Sequence, residues 1–303
     1  MRSRFVGCLL GCAIGDSLGM PVEGMSREEI LSTYGEIREF FPGRGLSAGS
    51  YTDDTQLTIA LAESVIQCGD FYPGNYAKRI AEWKDYAVGA GFTCMYAAIR
   101  LSQGVDWRAS GLGSAGCGSA MRAYPIGLLD IFQPKKLKRD AEESSLITHT
   151  DSRAVAGTIA IAYATSLAVR ESKIGGKEML QRIRDFVGHT STEFYEALSN
   201  AMKYDGMNIQ KALSRIGTSG YVVETVNASL FIASQSSSFQ EGIIEAVNAG
   251  GDTDSIGAMT GGILGAKYGY ENIPSKWSAH VQDRNRISNL ADLLFKLVSQ
   301  RNY

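Results

Sequence analysis

Histidine is scarce in this chain. Only His149, His189 and His280 occur among 303 residues, far apart in sequence, which disfavours a transition-metal site built on imidazoles. The five cysteines, at 8, 12, 68, 94 and 117, are odd in number and include no C-x-x-C pair. A disulfide framework and a zinc site are therefore not indicated, and a reducing cytoplasm fits best. Charge of one sign is missing too. Thirty basic residues face thirty-two acidic ones, for a net charge of −2, so there is no basic excess to grip a nucleic acid, and nothing in the balance points to a membrane surface. Long strand-like alternations, fixed-period repeats and low-complexity linkers are absent as well.

The apolar run Phe5–Ile14 is too short to span a bilayer. Behind Met1-Arg2-Ser3-Arg4 it imitates a secretory signal, and Leu9-Leu10-Gly11-Cys12 imitates a lipoprotein cleavage box. We read it instead as a buried helix. Gly7, Gly11, Gly15 and Gly19 fall on one helical face, where another backbone can come close. A second ladder, Gly257, Gly261, Gly265 and Gly269, predicts the same kind of seam.

Apolar positions recur at helical spacing over 55–68, 153–170, 221–234, 239–248 and 286–299. The six prolines sit where they would separate helices. The glycine-rich stretches 43–49 and 111–118 read as loops, 134–144 as a charged, solvated segment, and 234–238 as a polar turn. The expectation is a single compact all-α domain over residues 1–303.

What the chain does have is two clusters of hard oxygen donors, Thr52-Asp53-Asp54-Thr55 and Asp252-Thr253-Asp254-Ser255, each leading straight into a helical pattern. The plain alternative for the first is helix capping, since Asp53 and Gln56 have capping-box spacing. Capping explains one acid and not two adjacent ones, whose charges repel unless a cation neutralises them. In the second cluster the carboxylates are two apart, and Gly250-Gly251 permits a tight turn. No EF-hand spacing follows. If the clusters meet, they suit a pair of hard cations such as Mg²⁺ or Mn²⁺ and a two-metal hydrolase. Three weaker signals accompany them. Gly116–Arg122 is a glycine-rich turn of the kind whose N–H groups cradle phosphate, with a plain loop as the alternative. His149, in Thr148-His149-Thr150-Asp151, is a candidate donor to a phosphate or ribose hydroxyl, or else a core-edge histidine. Read alone, Glu23 is a surface carboxylate, Asp16 a helix-end residue, and Cys117 a thiol with no base beside it.

Taken together, GCLLGCAIGDSLGMPVEG (7–24), YTDDTQLTIALAES (51–64), GCGSAMRAYPIGLL (116–129), THTDSRAVAG (148–157) and NAGGDTDSIGAMTGGILGAKYG (248–269) resemble the ADP-ribosylglycohydrolase family, in family order and over nearly the whole chain. The resemblance implies an all-α orthogonal bundle with a central binuclear Mg²⁺ or Mn²⁺ site. It implies metal ligands at Thr52, Asp53, Asp54, Asp252, Asp254 and Ser255, where many members have Thr in place of Ser255. It assigns catalytic roles to Glu23, Asp53 and Asp54, and substrate contacts to Gly118, Ser119, Ala120, Met121 and His149. The implied reaction is removal of ADP-ribose from a protein side chain or small acceptor by cleavage at C1″, by a cytoplasmic monomer with no nucleic-acid or membrane partner. A silent, crystallin-like ADP-ribose-binding relative and a two-metal hydrolase of another nucleotide are the alternatives. One departure stands out. Gly91-Phe92-Thr93 occupies the place of a Gly-Asp-Thr segment found in some members, which argues against arginine-linked substrates.

Overall fold

The computed structural model describes residues 1–301, and among them every regular element is a helix. The first half comprises α1 (Arg2–Gly19), α2 (Arg27–Tyr34), α3 (Asp53–Cys68), α4 (Pro73–Trp83), α5 (Phe92–Ser102), α6 (Trp107–Ser110), α7 (Tyr124–Leu129), α8 (Pro134–Leu146) and α9 (Ser152–Arg170). The second comprises α10 (Gly176–Val187), α11 (Thr192–Ala201), α12 (Ile209–Ile216), α13 (Val222–Gln235), α14 (Phe239–Val247), α15 (Thr253–Tyr268), α16 (Ser275–Ser278) and α17 (Arg284–Ser299). The five helices read from periodicity appear as α3, α9, α13, α14 and α17, with ends moved by a residue or two. Pro73 and Pro134 open α4 and α8, a position where the missing N–H would have no partner anyway.

The solvated segment expected at 134–144 is instead helix α8. Leu137, Ala141, Ser144 and Ser145 share one buried stripe at helical spacing, and the flanking lysines and glutamates hid it. Asp140 turns inward with them, where the Lys136 ammonium stands 2.6 Å from it, 2.8 Å from Asp130 and 2.7 Å from Asp70.

The two glycine ladders face each other. A methyl group added at Gly11, Gly15 or Gly19 would overlap the main-chain carbonyl of Gly261, Gly257 or Thr253 respectively. Helices α1 and α15 therefore run antiparallel in backbone contact. Residues Phe5–Gly19 of α1 and Thr253–Lys267 of α15 are all buried, as befits helices that are apolar on every side. The signal-like N-terminal segment is thus a central strut. Arg2–Val22 and Ser152–Arg170 are long and apolar enough to cross a membrane, yet both lie almost wholly inside the protein.

The seam sets the position of the site. It places the C-terminal end of α1 against the N-terminal end of α15, where Thr253 Oγ1 donates to the Gly19 carbonyl at 2.9 Å. About one helical turn earlier on α1, Asp16 receives the N-terminus of α3. One helix thereby holds the start of two others side by side.

Candidate active site

Asp16 explains how α3 begins. Its carboxylate accepts from Thr52 N and Thr55 N at 3.0 and 3.1 Å, and from Thr52 Oγ1 and Thr55 Oγ1 at 2.9 and 2.6 Å. With the cap delivered from another helix, Asp54 has no part in it, and the Asp53 carboxylate takes main-chain N–H bonds from Gly91 and its own residue. The Asp53–Gln56 capping box is not realised, because the N-cap residue is Thr52, not Asp53, and the Gln56 amide is engaged with Trp83, Tyr86 and Val88. Both acids point elsewhere.

They point into a cavity of about 440 Å³. Its wall includes Asp53 and Asp54 from α3, Asp252, Asp254 and Ser255 from the start of α15, and Glu23 from the turn after α1. Across the cavity Ser255 Oγ donates to Asp54 Oδ2 at 3.4 Å, joining clusters 201 positions apart in sequence. Gly118, Met121 and His149 complete the opposite wall. Three further residues of the expected set stand behind it. Thr52 directs its hydroxyl to Asp16. Ser119 is buried and accepts from Ser145 and Thr158, both at 2.9 Å, and Ala120 is buried in the core.

Three residues that the sequence left without a role in the site, and Phe92, which it marked as a departure, also matter here. Asp16 is the first, and an acid inside an otherwise apolar helix was its only signal. Cys117 is a second: its Sγ donates to Asp252 Oδ2 at 3.1 Å and lies 3.6 Å from Ser255 Oγ. Arg44 is a third, ion-paired with Glu23 in a turn where it takes a positive φ of 51°. Phe92 stands on the rim, 76% exposed and stacked on Tyr96. No feature of the sequence marked Arg44.

The acids raise one another's proton affinity. Burial, then the charge of Asp254, pushes Asp16 up to about 7. Burial and the same neighbour push Asp252 up to about 8. Asp53 and Asp54 rise well above the carboxylate range, by burial first and then by the charges of Asp254 and Asp16. Such a cluster calls for positive charge. The donor set fits a hard divalent cation. Asp54 Oδ1 is buried and meets no donor within the protein, and carboxylate oxygens of Glu23, Asp252 and Asp254 lie within 4.8 Å of one another. Oxygen ligands of this kind select Mg²⁺, Mn²⁺ or Ca²⁺ over softer ions. Asp70, Asp130 and Asp140 are grouped as closely, but there the Lys136 ammonium already supplies the cation.

A helical scaffold that brings two helix N-termini and an acid-lined cavity together defines the class of candidate cation-binding helical sites, and comparison with known proteins identifies the family. The sequence model of the ADP-ribosylglycohydrolases matches residues 1–303, and the chain belongs to that family. It is 37% identical to an uncharacterized protein of Archaeoglobus fulgidus, over 98% of this chain and 97% of that one. It is 28% identical to the ADP-ribosylarginine hydrolase Tri1 of Serratia proteamaculans, over 98% of this chain and 80% of the relative. Among solved structures, one described as an ADP-ribosylglycohydrolase-related protein complex superposes with a TM-score of 0.77 at 30% identity, covering 98% of both chains. Family membership supports hydrolytic removal of ADP-ribose as the activity.

Proposed function

We propose that this chain is a metal-dependent hydrolase that frees ADP-ribose from a modified side chain or small acceptor by cleaving the bond at C1″. The observation that carries the reading is the contact between Ser255 and Asp54, which joins the two acid clusters in one cavity and leaves Asp54 Oδ1 buried without a donor. We assign Asp53, Asp54, Asp252, Asp254 and Ser255 to hold two cations, Mg²⁺ or Mn²⁺, with Thr52 supporting them from behind the wall. Bound there, divalent cations supply the charge that neutralises the acids and makes a water more acidic.

The chain's own groups do the rest. Glu23, partly exposed at the entrance and tethered by Arg44, takes a proton from the attacking water in this reading and returns it to the departing acceptor. Departure from C1″ leaves positive charge on the ribose, and the carboxylates of Asp53 and Asp54 face it. In the turn at Gly118–Met121 the Ala120 and Met121 N–H groups donate to the Cys117 carbonyl, which leaves those of Gly118 and Ser119 for the diphosphate. The whole of residues 1–303 acts as one domain in this reading, because both halves furnish the wall. Five free cysteines accord with a reducing cytoplasm.

Asp53→Ala tests the assignment. Turnover on ADP-ribosylated substrate should fall by more than about a hundredfold, while the circular dichroism spectrum and cooperative unfolding persist. Wild-type rates in that variant would end the proposal. Parallel assays with ADP-ribosyl-arginine, ADP-ribosyl-serine and O-acetyl-ADP-ribose identify the acceptor. Phe92 brings no acid to the rim, which weighs against the arginine linkage.

A further inference from the structure

A single hydroxyl proton decides what His149 presents to the cavity. Arg122 is buried, and its guanidinium can only donate. Nη1 reaches the Gly118 carbonyl at 2.9 Å, and Nη2 reaches Thr148 Oγ1 at 2.7 Å. Thr148 Oγ1 therefore accepts from Arg122 and keeps its own proton for another partner. Among the described residues, the acceptor that meets it is His149 Nδ1, at 2.8 Å. Thr148 is fully buried, so a proton turned any other way would go unsatisfied. Nδ1 must then accept, and a neutral imidazole that accepts at Nδ1 carries its hydrogen on Nε2.

Nε2 faces the opposite way. His149 is part of the cavity wall, and no acceptor among the described residues meets Nε2. Two glycines keep the approach open. A methyl group at Gly116 would stand 3.5 Å from Nε2, and one at Gly118 would press on Cε1 at 2.9 Å.

We propose that Arg122 and Thr148 act as positioning residues that lock His149 in the Nε2–H tautomer, so that it offers a neutral hydrogen-bond donor to an oxygen of the bound ADP-ribose moiety. The second half of this statement rests on the proposed function above; the first half does not. Burial, and after it the charge of Arg122, lowers the His149 pKa to about 3. The ring is thus neutral at any working pH, and an imidazolium would set a second proton against that of Thr148.

The test is nitrogen-15 NMR on the full chain without ligand. Three histidines are present, and the His149 signals are assigned by difference against His149→Gln. Between about pH 5 and about pH 9, Nδ1 should resonate as the bare nitrogen and Nε2 as the protonated one. Thr148→Val should give a mixture of tautomers and weaken calorimetric ADP-ribose binding about tenfold, and Thr148→Ser should restore both. A wild-type ring protonated at Nδ1 would overturn the relay, as would a Thr148→Val ring with unchanged nitrogen shifts. Should the valine variant not fold, the wild-type spectrum alone decides. If the tautomer is as stated but ADP-ribose does not bind, the relay stands and the proposed function falls.

Discussion

Asp16 shows how much one side chain can organise. It satisfies two main-chain N–H groups and two hydroxyls at the head of α3 while sitting among four other acids. Asp16→Ala should lower unfolding free energy by about 3 kcal/mol, the cost of orphaning buried donors, and chemical denaturation measures it. Asp16→Asn should cost less, because one acceptor oxygen remains. His149 gives the pH dependence at this scale. Its folded pKa of about 3 lies below the unfolded value near 6.5, so the unfolded chain takes up the proton first as pH falls. Its contribution is complete above about pH 6.5 and is lost progressively toward about pH 3, on the order of 5 kcal/mol in all. Melts of wild type and His149→Gln across that window should show a flatter acid limb in the variant. The sequence disclosed these residues unevenly. Paired acids before apolar runs made Asp53, Asp54, Asp252 and Asp254 visible. Asp16 was not, because its task is to cap a helix that starts 37 residues later, at Asp53, and only tertiary contact reveals that.

Among the elements, the seam between α1 and α15 is the least forgiving. Gly15→Ala would drive a methyl group into the Gly257 carbonyl, and both partners are backbone that cannot swing aside. A loss of about 3 kcal/mol or more is expected, readable as a lowered urea midpoint with an unchanged slope. Both ladders were legible because a four-residue glycine spacing has few other uses. That each is the other's partner was not, since nothing local specifies which backbone approaches. Helix α8 was missed for the opposite reason. Five of its first six residues are Pro, Lys or Arg, and this density of charge masked a stripe that buries only small and medium side chains. Lys136, which looked solvated, is the counter-ion for three carboxylates.

For the whole molecule, the crowded acids tie stability to both pH and cation. Asp252 near 8 and Asp16 near 7 hold protons that the unfolded chain has already released above about pH 4. Without metal, stability should therefore fall as pH rises between about 4 and about 8. A divalent cation replaces those protons. Saturating Mn²⁺ should raise the Tm relative to chelator by roughly 5 °C or more near pH 8, and by distinctly less near pH 5.5. Calorimetric scans at the two pH values check this, and equal shifts would argue against cation binding by these carboxylates.

The strut formed by α1 also bears on how the chain is made. Thr253 and the Gly19 carbonyl it bonds are 234 positions apart, so α1 cannot complete its seam until α15 has been made. Until α15 is made, the glycine face of α1 lacks its partner, and α3 has a cap but no second acid cluster to face. The seam is a contact of high sequence separation, the kind that costs most to close in folding.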